Sequence, residues 1–326
     1  VVIRERDLST GVITGVSALR GAIASTFTKG PVGKIVNIGS EKELIDTFGA
    51  PAEANASDWL VASEFLRYGG QLAVVRAATG VLNATKDGSA VLVGSKEDYE
   101  AGAGSSESFV ARDAGSAGNN LRVVVADTVA DSKMVKAGHG LSVGATLSDG
   151  ATTDHEVTVV IDANTVGIKH GAAGAVSGNG FTQSSFTNSD WNAIPIGDTG
   201  LTYKNIAPRP GTSAFASERY LSGDEVHVAV IDESTNTVVE RMTYLSKLSD
   251  GKSPEGASTY WKDYVNEFSQ YIYAAALGAS DYSPVGEAPG GSSSSYGATS
   301  AAPLTLAYIL TSVGGTLSGG VDDYAY

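Results

Sequence analysis

The chain has 326 residues, 42% of them hydrophobic, with 36 acids against 22 bases and a formal charge of −14. That length predicts two or three domains. The acidic balance, with no Lys/Arg cluster, excludes a nucleic-acid coat, which rests on phosphate neutralisation. No apolar run approaches the ~20 residues of a membrane span, and the absence of cysteine excludes disulfides, thiolate metal sites and Cys nucleophiles.

The 40 glycines favour turns and β structure over helix bundles. Val1 runs straight into Arg4, Glu5, Arg6 and Asp7, so no apolar signal-peptide core is expected there. Residues 1–16 open with the strand-like Val1-Val2-Ile3, then Arg4-Glu5-Arg6-Asp7-Leu8 and a polar Ser9-Thr10-Gly11. A strand without a local hairpin partner suits an arm that pairs with another chain's sheet edge. On the segment alone, a terminus packed on its own domain is the stronger reading.

Residues 17–28 read as a strand, Gly30-Pro31 as a turn and Val32–Ile38 as a second extended piece. Ser40-Glu41-Lys42-Glu43 has the spacing of a capping box, with Glu43 expected to reach back to the Ser40 amide. Leu44, Ile45 and Phe48 give that helix its apolar side, and Gly49 and Pro51 stop it. Ser57-Asp58 is expected to start a second helix with Trp59, Ala62, Phe65 and Leu66 towards a core. Gly69-Gly70 ends it, and the strand Leu72–Ala78 follows. Helices flanked by strands in this order predict an α/β core layer.

Residues 80–107 are polar and Gly/Ser-rich, and Leu121–Ala126 reads as a strand. Residues 134–182 read as a small all-β insertion, with a hairpin of Val157–Ile161 and Val166–Ile168. Residues 183–222, rich in Ser, Thr, Asn and Pro, are expected to be a long surface connection. Glu225–Ile231 and Thr237–Met242 form a second hairpin. Thr259–Phe268 is a helix with Trp261, Tyr264, Val265 and Phe268 on one side, followed by the strand Tyr271–Ala276. Residues 279–300 form a Gly/Ser loop, and Leu306–Leu310 and Leu317–Asp323 close the chain.

The search for chemistry is mostly negative. Gly251-Lys252-Ser253 hints at a phosphate loop, but the Gly that the pattern needs is Ser246 and Pro254 follows at once. The histidines at 139, 155, 170 and 227 have no His or Cys at metal-ligand spacing. Asp154-His155-Glu156 reads as a solvated strand edge rather than a surface metal site. Gly115–Asn120 reads as a plain turn rather than an anion nest. No nucleophile elbow is present, so no catalytic, metal or cofactor site is assigned.

Several phrases in order resemble the contractile-tail sheath proteins of bacteriophages. They are Glu5 to Thr10, Phe27-Thr28-Lys29-Gly30-Pro31, the helix ending in Phe48-Gly49-Ala50-Pro51, and Phe65-Leu66-Arg67-Tyr68-Gly69-Gly70 followed by Val74-Val75-Arg76-Ala77. Ala114-Gly115 to Leu121-Arg122-Val123 and Leu317-Ser318-Gly319-Gly320-Val321-Asp322 complete the set. The resemblance covers about 30–126 and 215–326, and residues 134–182 stand outside it as a variable outer module.

The resemblance implies a mixed α/β, multi-domain (α+β) fold. An arm at 1–16 precedes a discontinuous α/β core of 17–80 and 215–326, and a β-rich region at 81–214 is inserted between the core segments. It implies a non-enzymatic structural protein of the virion, assembled in the host bacterial cytoplasm, with no cofactor. Its partners would be other sheath subunits, the tail tube protein, and baseplate and tail terminator proteins, with no nucleic acid and no membrane insertion. Subunits would stack as helical rings and contract by rigid-body rearrangement to drive the tube through the host envelope. Val1, Val2, Ile3, Arg4, Glu5, Arg6, Asp7 and Leu8 would exchange strands between neighbours. A further C-terminal region, beyond Tyr326, would close the inner layer and grip the tube.

Three competing readings stand beside it. The first is a bacterial contractile injection sheath with the same mechanics. The second is a β-rich carbohydrate- or surface-binding module carried by the insertion and by exposed aromatics such as Trp191 or Tyr203. The third is a hydrolase with the acid pair Asp322-Asp323.

Overall fold

The structure is a computed structural model. It describes residues 19–86, 91–105, 109–127, 130, 132–148, 154–169, 180–220, 223–274 and 315–316. The arm at 1–16, the loop at 279–300 and the closing segments at 306–310 and 317–323 lie outside the described residues. The chain divides into two compact units, one running up to Gly80 and one starting at Val81.

The first unit is a helix-covered sheet. It holds β1 (Arg20–Ser25), β2 (Ile35–Ile38), α1 (Glu41–Phe48), α2 (Ala56–Arg67) and β3 (Gln71–Arg76). The strand order is β1-β3-β2, with β1 parallel and β2 antiparallel to β3. The helices cover one face because strand alternation turns Ile23, Val36, Ile38, Leu72 and Val74 towards Leu44, Phe48, Trp59, Ala62 and Leu66.

Ser40 caps α1 by accepting the Glu43 amide at 3.2 Å, as its position predicts. Glu43 reaches back one residue further than expected. Its carboxylate accepts the Gly39 amide at 2.9 Å, so the reciprocal bond of a capping box falls on the residue before the cap. Helix α2 begins at Ala56 rather than Ser57, after Asn55, whose side chain makes no capping bond. Its amide oxygen takes the Ala52 N–H at 2.8 Å and its NH₂ group donates to Thr26 O at 3.1 Å. Asn55 therefore ties the loop to the strand end instead of capping the helix.

The second unit opens with β4 (Asn83–Thr85), α3 (Lys96–Glu100) and β5 (Phe109–Ala114). Residues 81–86 and 91–105 thus hold a strand and a helix that the polar composition does not announce. A single 3₁₀ turn at Ser116–Asn120 leads into β6 (Leu121–Asp127). The outer module follows as β7 (Ser132–Val135), β8 (Thr146–Ser148), β9 (Asp154–Asp162), β10 (Thr165–Lys169) and β11 (Thr182–Ser185). These five strands form an antiparallel sheet in the order β11-β7-β10-β9-β8, and the β9–β10 hairpin is where it was expected. Met134, Leu147, Val157, Val166 and Ile168 form its core.

Residues 183–220, the described part of the stretch 183–222, are not a surface connection. They hold α4 (Asn188–Ala193), a 3₁₀ turn at Tyr203–Asn205 and α5 (Ala214–Ser217). Trp191, Ile194, Ile196, Tyr203 and Ile206 are buried in one cluster. That cluster covers one face of the sheet β13-β12-β6-β15, formed by β6, β12 (Glu225–Asp232), β13 (Thr237–Ser246) and, after α6 (Trp261–Phe268) and β14 (Ile272–Ala274), β15 (Gly315–Thr316). Val124, Ala126, Ala229 and Ile231 face the 183–222 cluster. Val123, Val125, Val226, Val228 and Val230 face Trp261, Val265, Phe109 and Ile272 on the other side.

Strands β6 and β12 are therefore apolar on both faces, which explains why their residues run rather than alternate. The 225–246 hairpin pairs with β6, so one sheet spans both sides of the 214/215 division drawn from the sequence. On α6, Trp261 and Val265 are buried, as expected. Phe268 instead stays 57% exposed and stacks obliquely on Tyr264, with ring centroids 4.6 Å apart.

Candidate assembly surface

The phrases that carry the family resemblance in the first unit converge on one point. Arg76, at the end of β3, is fully buried. Its guanidinium donates to Phe27 O at 2.8 Å, Gly30 O at 3.1 Å and Thr28 O at 3.2 Å. A planar fork of N–H donors can gather three carbonyls of one tight turn, which an ammonium point charge could not do as well. The strand ending in Val74-Val75-Arg76 and the Phe27–Pro31 turn are thus one structural device.

The end of α1 joins them. Phe48 packs on Phe27 with centroids 5.1 Å apart, and Trp59 donates its indole N–H to Gly49 O at 3.0 Å. Gly49 has φ +86°, and a Cβ there would stand 2.4 Å from Thr28 Oγ1. Glycine is required at this position by both backbone and space. Phe65 makes a similar demand at the sheet edge, since a Cβ on Gly21 or Gly70 would meet its ring at 2.8 or 2.6 Å.

The opposite face of this sheet carries no helix among the described residues. Register sets three rows across it: Arg20–Gln71, Ala22–Ala73–Asn37 and Ala24–Val75–Ile35. The small middle row leaves a shallow depression of about 230 Å³ lined by Arg20, Gly21, Asn37, Gln71 and Ala73. Ile35 is 72% exposed beside it. β1 forms one outer edge of the sheet, and its far side has no partner strand among the described residues. On α2, Leu60 and Val61 are exposed, as is Tyr68 just after it. This unit presents a backbone edge and exposed apolar side chains.

The strand-exchange residues Val1, Val2, Ile3, Arg4, Glu5, Arg6, Asp7 and Leu8 lie outside the described residues, as does the acid pair Asp322-Asp323. The two aromatics that a carbohydrate-binding reading needs are not on the surface. Trp191 is 1% exposed, donates its indole N–H to Ala207 O at 3.0 Å and meets Tyr203 edge-on at 4.7 Å. Tyr203 is fully buried. Both are core residues, placed there by the second face of the central sheet. His155 is fully buried too, not at a solvated edge, because β9 turns it inward beside Leu147 on its partner strand β8.

Among the described residues no three His, Asp or Glu side chains gather as a metal would need. Gly251-Lys252-Ser253 lies in a loop closed by Thr259 N–H on Gly251 O at 2.9 Å, and no helix starts there. Two of the perturbed carboxyls belong to ordinary ion pairs, while burial raises Asp250 and a bond from Ser253 lowers Glu255. Burial pushes Asp190 up, but its bonds to Lys133 and Thr187 outweigh this and hold it low. Glu267 is held low by Lys96.

Residues 20–77 match the family model described as "Tail sheath protein Gp18 domain III N-terminal region". That stretch is the first unit, with the Arg76 device at its centre. The likeness is to phage tail sheath proteins. The tail sheath protein of Salmonella phage ViI is 25% identical over 311 residues, covering 84% of this chain and 49% of that protein. The tail sheath protein of Vibrio phage KVP40 is 38% identical over 68 residues, 20% of this chain and 10% of its own. This chain spans about half the length of the Salmonella phage protein. A solved sheath tail protein from Listeria innocua is 15% identical, with a TM-score of 0.22 over 55% of this chain and 37% of its own.

Proposed function

We propose that this chain forms part of the structural subunit of a contractile phage tail sheath. The observation that carries the reading is the sheath-domain match over residues 20–77, a unit whose matching phrases are physically tied through Arg76. In this reading the subunits polymerise as helical rings around the tail tube and contract by rigid-body rearrangement. Contraction runs downhill from a metastable extended state and drives the tube through the host envelope. No nucleotide or cofactor is needed. The partners are other sheath subunits, the tube protein, and the baseplate and terminator proteins, and assembly takes place in the host cytoplasm.

The arm Val1–Leu8 supplies a strand to a neighbour. Main-chain pairing of this kind keeps subunits linked through a large rotation. The 17–80 region is the core element and 134–182 the variable outer module. The acidic surface tunes contacts in a salt-dependent way.

Negative-stain electron microscopy of the full-length protein, with and without residues 1–8, tests this. Tubes or stacked rings that disappear on deletion are the expected result. Dispersed particles in both samples, at high protein concentration, would overturn the reading.

A further inference from the structure

The central sheet contains a buried histidine with both ring nitrogens committed to backbone. His227 on β12 is fully buried. Its Nδ1 lies 2.9 Å from the Tyr244 amide nitrogen and its Nε2 lies 2.8 Å from Pro208 O. An amide N–H can only donate, so Nδ1 is bare. A carbonyl can only accept, so Nε2 carries the proton. One neutral tautomer satisfies both contacts, and the imidazolium satisfies only one.

The Tyr244 amide sits at an irregularity. Pairing between β12 and β13 runs Val226 to Leu245 and then Val228 to Met242. His227 alone therefore stands opposite two residues, Thr243 and Tyr244, which is a β-bulge. Tyr244 adopts φ +55°, a conformation that side chains other than Gly and Asn seldom take. Its N–H points at the imidazole rather than at a strand, so the ring supplies the acceptor that the bulge removes from the ladder. Through Pro208 the same ring holds the 206–209 loop, where Ala207 O also takes the Trp191 indole N–H. The imidazole meets the Tyr244 ring at 4.7 Å and the Trp191 ring at 6.3 Å, both edge-on.

We infer that His227 is a proton-operated latch. Its neutral ring joins the bulge at Tyr244 to the loop at Pro208, and uptake of one proton opens that junction at one end of the central sheet. The imidazolium would set an Nδ1–H against the Tyr244 N–H and leave a strained residue without its acceptor.

Charged groups on the surrounding elements are engaged elsewhere. On the loop, Arg209 donates to Phe186 O and Ala130 O. On β13, Arg241 donates to Asn205 O and Glu240 accepts from Ser269 and Gln270. On α4, Asp190 pairs with Lys133. Before β12, Asp224 accepts from Ser213 and Ser246, and Glu225 at its start accepts from the Gly211 amide. Tyr203 and Lys247 are the other titratable groups buried on these elements. Across the sheet, β6 presents Ala126 opposite His227.

Burial holds the imidazole below its ordinary value, against an upward pull from its contacts with the Pro208 and Val226 backbone. The sign follows. Above the ~6.5 of a free imidazole the closed and open states bind equal numbers of protons, and the latch is at full strength. As pH falls below that value the open state takes up a proton that the closed state refuses. Closure weakens until the depressed folded value is reached.

Hydrogen exchange read by mass spectrometry on the full-length protein, from pH 7.5 to 4.5 and corrected for intrinsic rates, tests the latch. Opening of peptides covering 243–246 and 206–209 should rise about tenfold per pH unit below ~6.5. A peptide from α6 should show no such slope. His227→Asn keeps an acceptor towards Tyr244 but cannot titrate, and should flatten the profile. Should that variant not fold, labelled-histidine NMR of the unaltered protein gives the second readout. An Nε2–H tautomer should persist below the ordinary imidazole range and be lost together with protection of Tyr244. A flat exchange profile, an equal slope in His227→Asn, or a ring that titrates without local opening would overturn the inference.

Discussion

Residues 41–76 and residues 183–222 are both well packed, but they are built by different means. In the first, local signals do the work. Ser40 caps a helix, Gly49 ends it, Trp59, Ala62 and Leu66 recur at helical spacing, and the Gly69-Gly70 break returns the chain as a strand. In the second, the short turns are capped as well, by Thr187 with Asp190 and by Ser213, but none is long enough to show a period, and Trp191, Tyr203 and Ile206 are buried where the face of β6 and β12 needs a cover. A polar, Pro-rich composition describes the solvent side of such a segment and says little about its few large apolar side chains.

That contrast predicts where stability resides. The largest effect is expected for Trp191→Ala, which empties the centre of the non-periodic region and strands Ala207 O. It should cost about 3–5 kcal/mol in chemical denaturation followed by Trp261 emission. A loss below ~1 kcal/mol would mean that 183–222 is a peripheral cover after all. Arg76→Met comes next. It removes the donor shared by three carbonyls and should cost about 3 kcal/mol, read from the Trp59 signal. An unchanged midpoint would show that the turn at 27–30 holds without its hub. Ser40→Ala is the smallest of the three, at about 1 kcal/mol, because the α1 cap is exposed and one hydrogen bond is at stake. A cost equal to that of Arg76→Met would break the view that tertiary hubs outweigh local caps in this unit.

The helices of the first unit, the β9–β10 hairpin and the β12–β13 hairpin were legible because each is defined by neighbours within about ten residues. Details that depend on geometry were not. Glu43 faces Gly39 rather than Ser40, because a carboxylate at that spacing can reach either amide. Phe268 lies outside the core that its spacing allotted it, since α6 ends at that residue, although Val265 and Asn266 in the same last turn still hold to the core and to β14. His155 alternates away from two acids, which says that it points elsewhere but not that elsewhere is the interior. At the candidate surface, the open row of Ala22, Ala73 and Asn37 depends on a parallel pairing of β1 with β3 across 50 residues of chain, which no local pattern specifies. The His227 latch could have been sought only as a His inside an apolar strand.

By itself the sequence determined the acidic, cysteine-free, glycine-rich character of the chain, its mixed α/β class, the capped helices and hairpins, and the likeness to sheath proteins. Those follow from composition, short-range spacing and turn chemistry. Packing, by contrast, makes Arg76 gather the turn, puts Trp191 and Tyr203 in the core, buries β6 and β12 on both faces, and sets His227 against two backbone groups. Each of these turns on which distant segment covers an exposed face or a lone polar atom, and burial and hydrogen-bond satisfaction are properties of the assembled chain.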